Sequence, residues 1–140
     1  MMRTKEMRNT AIAEFKRLGI NMPNVDTLVE RLSGGQRQSI ACARAMMGSA
    51  PKVLMMDEPT AALGVRETAE VYGLMKRCRD EGAAVLLISH NMKEVFEVAD
   101  KITVMRLGYT VEEVIAKETD PNYIVSLITG AIDPLGIEGR

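Results

Sequence analysis

Two short, uninterrupted apolar runs, Val53 to Met56 and Ala84 to Ile88, bracket one patterned helix and restrict this chain to a narrow class of folds. A run of four or five apolar residues without polar alternation suits a strand buried on both faces. Between the runs, Val65, Ala69, Tyr72, Met75 and Cys78 recur at three- and four-residue spacing, which predicts a helix over Val65 to Glu81 with that stripe buried. Glu67 and Glu70 lie early in it, Lys76, Arg77 and Arg79 lie late, and Gly82 follows, an order that favours the helix dipole and the C-cap. Strand, helix, strand in this order implies parallel strands in an α/β fold with helices covering the sheet.

The flanking sequence extends the pattern. Thr4 to Leu18 reads as a helix carrying Ala11, Phe15 and Leu18 on one face, ended by Gly19, with Asn21, Pro23 and Asn24 marking a loop. A second helix is expected from Ser33 to Met47, stopped by Gly48 and Pro51. After Ile88 the sequence predicts a short helix over Asn91 to Ala99, a third strand over Ile102 to Met105, a turn at Gly108 and Tyr109, and a last helix over Pro121 to Thr129. The closing Ile137-Glu138-Gly139-Arg140 has the form of a protease recognition site and is set aside from the functional argument.

Composition narrows the function. With 140 residues, of which 46% are hydrophobic and 26% charged, the chain has the material for a globular core. A formal net charge of −1 gives no footprint for nucleic acid or for an anionic membrane surface. Cys42 and Cys78 lack metal spacing and read as buried structural thiols. The 11 methionines read as gap-filling core residues. No apolar segment reaches the length of a membrane span, so an action at a membrane would run through a partner.

Parallel sheets bind ligands beyond the carboxyl ends of their strands. The first apolar run ends in Asp57-Glu58 and the second in Ser89-His90, so both pairs are expected at one edge of the sheet. Adjacent carboxylates there can divide labour, Asp57 helping to hold Mg²⁺ and Glu58 orienting and deprotonating a water. His90, the single histidine, can donate a hydrogen bond to a phosphoryl oxygen. An Asp-Glu pair alone equally suits the cap of the next segment. Upstream, Leu32-Ser33-Gly34-Gly35-Gln36 opens a helix with a good N-cap serine and two glycines that admit an anion close to free N–H groups. Taken alone, Ser-Gly-Gly is a capped helix start.

The motifs together carry a resemblance. Leu32-Ser33-Gly34-Gly35-Gln36-Arg37-Gln38 resembles the signature motif of ATP-binding-cassette (ABC) ATPases, and Val53 to Thr60 resembles their Walker B strand with its catalytic glutamate. Ala61-Ala62-Leu63-Gly64 stands at the D-loop position, and Ser89-His90 matches the switch histidine. The Ala61 to Glu67 segment, with Ser89-His90-Asn91-Met92, resembles the monosaccharide-importer branch. Two departures stand out. Gly64 occupies a place usually held by aspartate, which puts any contact made by that aspartate in doubt. No lysine in the sequence precedes serine or threonine, so the phosphate-cradling Gly-x-x-x-x-Gly-Lys-Ser/Thr loop is not found and is expected upstream of Met1.

The resemblance implies a partial P-loop NTPase core of ABC type, with parallel strands, flanking helices and part of the helical signature subdomain. Residues 1–48 would hold that subdomain part, 49–130 the ATPase core, and 131–140 a tail. It implies ATP and Mg²⁺, with Leu32, Ser33, Gly34, Gly35 and Gln36 facing nucleotide held by a second ATPase subunit. Asp57, Glu58 and His90 would serve the chain's own nucleotide, with Asp57 on the metal. Partners would be that second subunit, a membrane permease and, indirectly, an extracytoplasmic sugar-binding protein, at the cytoplasmic face of the cell membrane. The chain alone is expected to be inactive and marginally stable. Alternatives are a non-catalytic module completing a partner's site through Ser33 to Gln36, and a soluble cassette ATPase.

Overall fold

The structure is a computed structural model and describes residues 4–22, 24–47, 51–61 and 63–136. Pro23, Gly48, Ala62 and the tail from Ile137, to which the sequence assigns a loop, a helix end, part of the D-loop and a terminal segment, lie outside the described residues.

The chain forms two compact units, residues 1–88 and 89–140. The first contains α1 (Thr4–Arg17), a single 3-10 turn at Val29–Arg31, α2 (Gly34–Met46), β1 (Val53–Asp57), α3 (Val65–Asp80) and β2 (Ala84–Ile88). β1 and β2 pair in parallel from Val53↔Ala84 to Asp57↔Ile88. The right number of residues for this pairing is supplied by α3, which packs on β2 and on α2. Gly82, with φ of 94°, ends the helix and turns the chain into the second strand, a conformation that favours glycine.

Two burial expectations are corrected. β1 alternates, with Leu54 and Met56 buried and Val53 and Met55 exposed, and in β2 Ala84, Leu86 and Ile88 are exposed. Only one face of this ribbon is covered by the described elements, so the apolar runs do not correspond to strands buried on both faces. The buried stripe of α3 is also rotated. It consists of Val71, Leu74, Met75 and Cys78, while Val65 is 90% exposed and Ala69 is exposed. The helix is covered along its second half, where Leu18, Cys42, Ala43 and Met46 supply buried neighbours from the same unit. Cys42 and Cys78 are both free and buried, and burial pushes the Cys42 thiol up to about 12.

Arg17 ties the unit together at one end. Its guanidinium donates to Glu14 at 2.6 Å and to the Met46 carbonyl at 3.1 Å, and it pairs with Glu81 just past α3. One side chain thereby links the ends of three helices.

The second unit contains α4 (Met92–Val98), β3 (Lys101–Arg106), β4 (Tyr109–Ile115), a 3-10 turn at Ala116–Glu118 and α5 (Pro121–Thr129). β3 pairs antiparallel with β4, so it is the first arm of a hairpin and not a third parallel strand. The reason is the turn. Leu107 and Gly108 both have positive φ, 50° and 84°, as a two-residue turn matched to strand twist requires, and Tyr109 begins the return strand. Ile102, Val104, Val111, Ala116, Ile124 and Leu127 form the core of this unit, with α5 on β3. Asp120 caps α5 by accepting from the amides of Asn122 and Tyr123, and Pro121 occupies the first turn.

Candidate functional site

The start of α2 is built by reciprocal capping. The Gln36 amide donates to Ser33 Oγ at 3.3 Å, and the Gln36 side-chain oxygen accepts from the Ser33 amide at 3.0 Å. Arg37 folds back to donate to the Leu32 carbonyl at 2.6 Å, and Leu32 itself is buried. Ser33 is exposed and Gly34 half-buried, so the turn presents its outer side to solvent. Gly35 is buried because α3 passes close by. A Cβ at Gly35 would stand 3.0 Å from Cβ of Glu67 and 3.3 Å from its Cγ. The second glycine of the motif is therefore a packing glycine, a role the sequence reading did not assign to it.

Glu67 is the residue that the sequence reading missed here. Its carboxylate accepts from the Gly64 amide at 3.1 Å, closing the half of a capping box that a glycine N-cap permits. That hydrogen bond, with the Ser33 and Gly35 dipoles nearby, holds its carboxyl below the usual carboxylate range. The clue in the sequence was the three-residue spacing from Gly64 to Glu67, an N-terminal capping interval.

Asp57 and Glu58 lie at the carboxyl end of β1, as expected. Asp57 is exposed opposite Ile88, and Glu58 is half-buried. The Glu58 amide donates to the Ile88 carbonyl at 2.9 Å, which carries the parallel ladder one residue beyond the strand. Its backbone then turns abruptly, with φ of 44°. A left-handed conformation at a non-glycine residue costs about 1–2 kcal/mol and concentrates at functional sites. Pro59 and Thr60 follow, both buried, and the Ala61 amide returns to the Glu58 carbonyl at 3.3 Å.

Ser89 and His90 open the second unit, whereas Asp57 and Glu58 belong to the first. His90 is exposed. Ser89 Oγ donates to the fully buried Glu94 at 2.5 Å and accepts from the Asn91 amide at 3.1 Å, while Asn91 caps α4 through the amides of Lys93 and Glu94. The turn that carries His90 is thus fixed on both sides by hydrogen bonds. Glu94 was missed as well. It stands three residues past the capping Asn91, a spacing visible in the sequence, but nothing there shows that it reaches back to Ser89.

Among the described residues no group of three or more His, Cys, Asp or Glu side chains is arranged to hold a metal ion. Mg²⁺ does not require one, because it binds through one or two carboxylates, waters and the phosphates of a nucleotide. A lone exposed Asp57 at a strand end fits that role. Among the described residues no helix is long and apolar enough to cross a membrane.

The glycine-opened helix, the parallel ribbon after it and the acidic pair at the strand end lie in a segment that is similar to ATP-binding proteins of the ABC transporter class. Residues 2–61 match the family model described as ABC transporter. The chain is 46% identical over 130 residues to the fructose import ATP-binding protein FrcA of Rhizobium meliloti, covering 91% of this chain and 49% of that protein. It is 38% identical over 130 residues to the ribose import ATP-binding protein RbsA of Streptococcus agalactiae, covering 93% and 26% respectively. The chain thus spans about half the length of the first relative and about a quarter of the second. Among solved structures it is similar to the ATP-binding cassette MJ0796 in a dimeric post-hydrolysis state bound to ADP and Pi, with a TM-score of 0.64 at 25% identity over 83% of this chain and 50% of that one.

Proposed function

We propose that this chain is part of the ATP-binding subunit of a carbohydrate importer, in which ATP binding and hydrolysis drive the rearrangement of a membrane permease. The observation that carries the reading is Glu58, held in a left-handed turn at the carboxyl end of a parallel strand and pinned there by Ile88. A carboxylate fixed at that point is placed to orient a water and accept its proton when a γ-phosphate is presented.

The remaining roles follow from residue chemistry. Asp57 holds Mg²⁺, which when bound neutralises charge on the phosphate oxygens. His90 donates to a phosphoryl oxygen from a turn fixed by Ser89, Asn91 and Glu94. Ser33 offers its hydroxyl and Gly34 and Gly35 their backbone N–H groups, at a helix start braced by Gln36, to the terminal phosphate of ATP held by a second subunit. Residues 1–48 act as part of the signature subdomain and 49–130 as part of the ATPase core, at the cytoplasmic face of the membrane. An extracytoplasmic sugar-binding protein delivers the cargo to the permease. The 140-residue polypeptide by itself does not turn over ATP, because phosphoryl transfer rests on a phosphate cradle and its lysine, and the sequence contains no Gly-x-x-x-x-Gly-Lys-Ser/Thr.

The test is complementation. Mixed with a complete sugar-import cassette whose own signature serine is replaced, the chain is expected to restore ATP hydrolysis, and its Ser33→Ala variant is not. Hydrolysis that stays at the level of the disabled cassette counts against the assignment of Ser33 to Gln36.

A further inference from the structure

The start of α2 rests on the start of α3. A Cβ placed on Gly35 would stand 3.0 Å from Cβ of Glu67, 3.3 Å from its Cγ and 3.6 Å from its Cα. Backbone and side chain of Glu67 together form a wall behind the second glycine of the motif, with no room between for another atom. The wall is itself held. The Glu67 carboxylate accepts from the Gly64 amide at 3.1 Å, which closes a ring over the first turn of α3 and restricts rotation of the side chain. Gly64 is the residue at the D-loop position, so one side chain touches both the glycine-opened turn and that position.

We propose that Glu67 is a positioning residue for the phosphate-binding turn. Its Cβ and Cγ fix where the Gly34 and Gly35 amides stand, and its bond to Gly64 fixes Cβ and Cγ. The proposal rests on the reading that Ser33, Gly34 and Gly35 receive the phosphate of ATP held by a second subunit. It adds a support for that turn from α3, outside the motif itself.

The physical need is distance. Ser33 and Gln36 order the turn from within by reciprocal capping, whereas contact with Glu67 sets its place against α3. An N–H···O bond is good only over about 2.7–3.2 Å, so a turn that drifts by about half an ångström loses its hold on a phosphate oxygen. The role belongs to shape and to an acceptor, and not to charge. A glutamine has the same Cβ and Cγ and an amide oxygen that can take the Gly64 amide. Charge works the other way, since a carboxylate beside a bound phosphate repels it.

The experiment mixes the 140-residue chain with the sugar-import cassette whose own signature serine is replaced, and reads hydrolysis against ATP concentration. Glu67→Ala removes Cγ and the acceptor. It is expected to raise the ATP concentration at half-maximal rate at least about fivefold, with the maximal rate within about twofold of the wild-type chain. Glu67→Gln is expected to stay within about twofold of the wild type or to bind ATP more tightly. A change that only unfolds the chain lowers the maximal rate and leaves the half-maximal concentration alone, and amide dispersion of the ¹⁵N-labelled chain reports the folded fraction. Should Glu67→Ala not fold, Glu67→Asp carries the same expectation, because it keeps the charge and draws the acceptor back by one methylene. An unchanged half-maximal concentration in the folded Ala or Asp variant, or an equal rise in Glu67→Gln, would overturn the positioning role and leave the phosphate assignment standing. A wild-type chain that restores no hydrolysis would overturn both.

Discussion

The amide of Glu58 donates to the carbonyl of Ile88 at 2.9 Å, one residue past the last paired position of β1, and only then does the backbone enter the left-handed region at φ 44°. The sheet holds the catalytic candidate in place while the turn aims it. Strain of this kind persists only where surrounding structure enforces it, here by the ladder on one side and buried Pro59 and Thr60 on the other.

Glu58→Gly is therefore expected to stabilise the first unit, by up to about 1 kcal/mol, because glycine adopts positive φ without a Cβ clash. Part of the gain is offset by the larger entropy of glycine in the unfolded chain. Urea denaturation measures it. A destabilised variant would show that the Glu58 side chain contributes more to packing than its backbone costs.

Gly35→Ala separates packing from anion binding. Alanine gains up to about 1 kcal/mol of helix propensity over glycine. Against this, the new Cβ meets Cβ of Glu67 at 3.0 Å, and Glu67 is anchored in α3 at its backbone and through its carboxylate. Overpacking of this type costs about 1–3 kcal/mol, so net destabilisation is expected in the same denaturation assay. A variant as stable as the wild type would mean that α2 and α3 separate easily at this point.

Much of this was legible in the sequence. The helix over Pro121 to Thr129 matches the structure residue for residue, since Asp120, Pro121 and Gly130 give local start and stop signals that need no tertiary information. The strand ends at Asp57 and Ile88 were legible for the same reason. What was not legible depends on neighbours. Val53, Met55, Leu86 and Ile88 read as buried on both faces, yet they form the uncovered face of a two-stranded ribbon, and no local pattern shows how many layers lie over a sheet. Val65 matched the helical period and is exposed, because period fixes a stripe only up to where the neighbours lie. Glu67 and Glu94 carried the capping spacing, but what they meet beyond their own helices, the close approach of Gly35 and the hydroxyl of Ser89, was not visible in it.

The most direct measurement joins this chain to a phosphate-binding loop. In a chimera that supplies the portion of the fructose-import relative outside the matched segment, ATP hydrolysis is expected, and Glu58→Gln is expected to lower it by at least about 100-fold. ATP binding should survive the substitution, since Glu58 is assigned to water and not to nucleotide. Undiminished hydrolysis by the Glu58→Gln chimera would contradict the role given to Glu58, and with it the account of the strand end as a site of phosphoryl transfer.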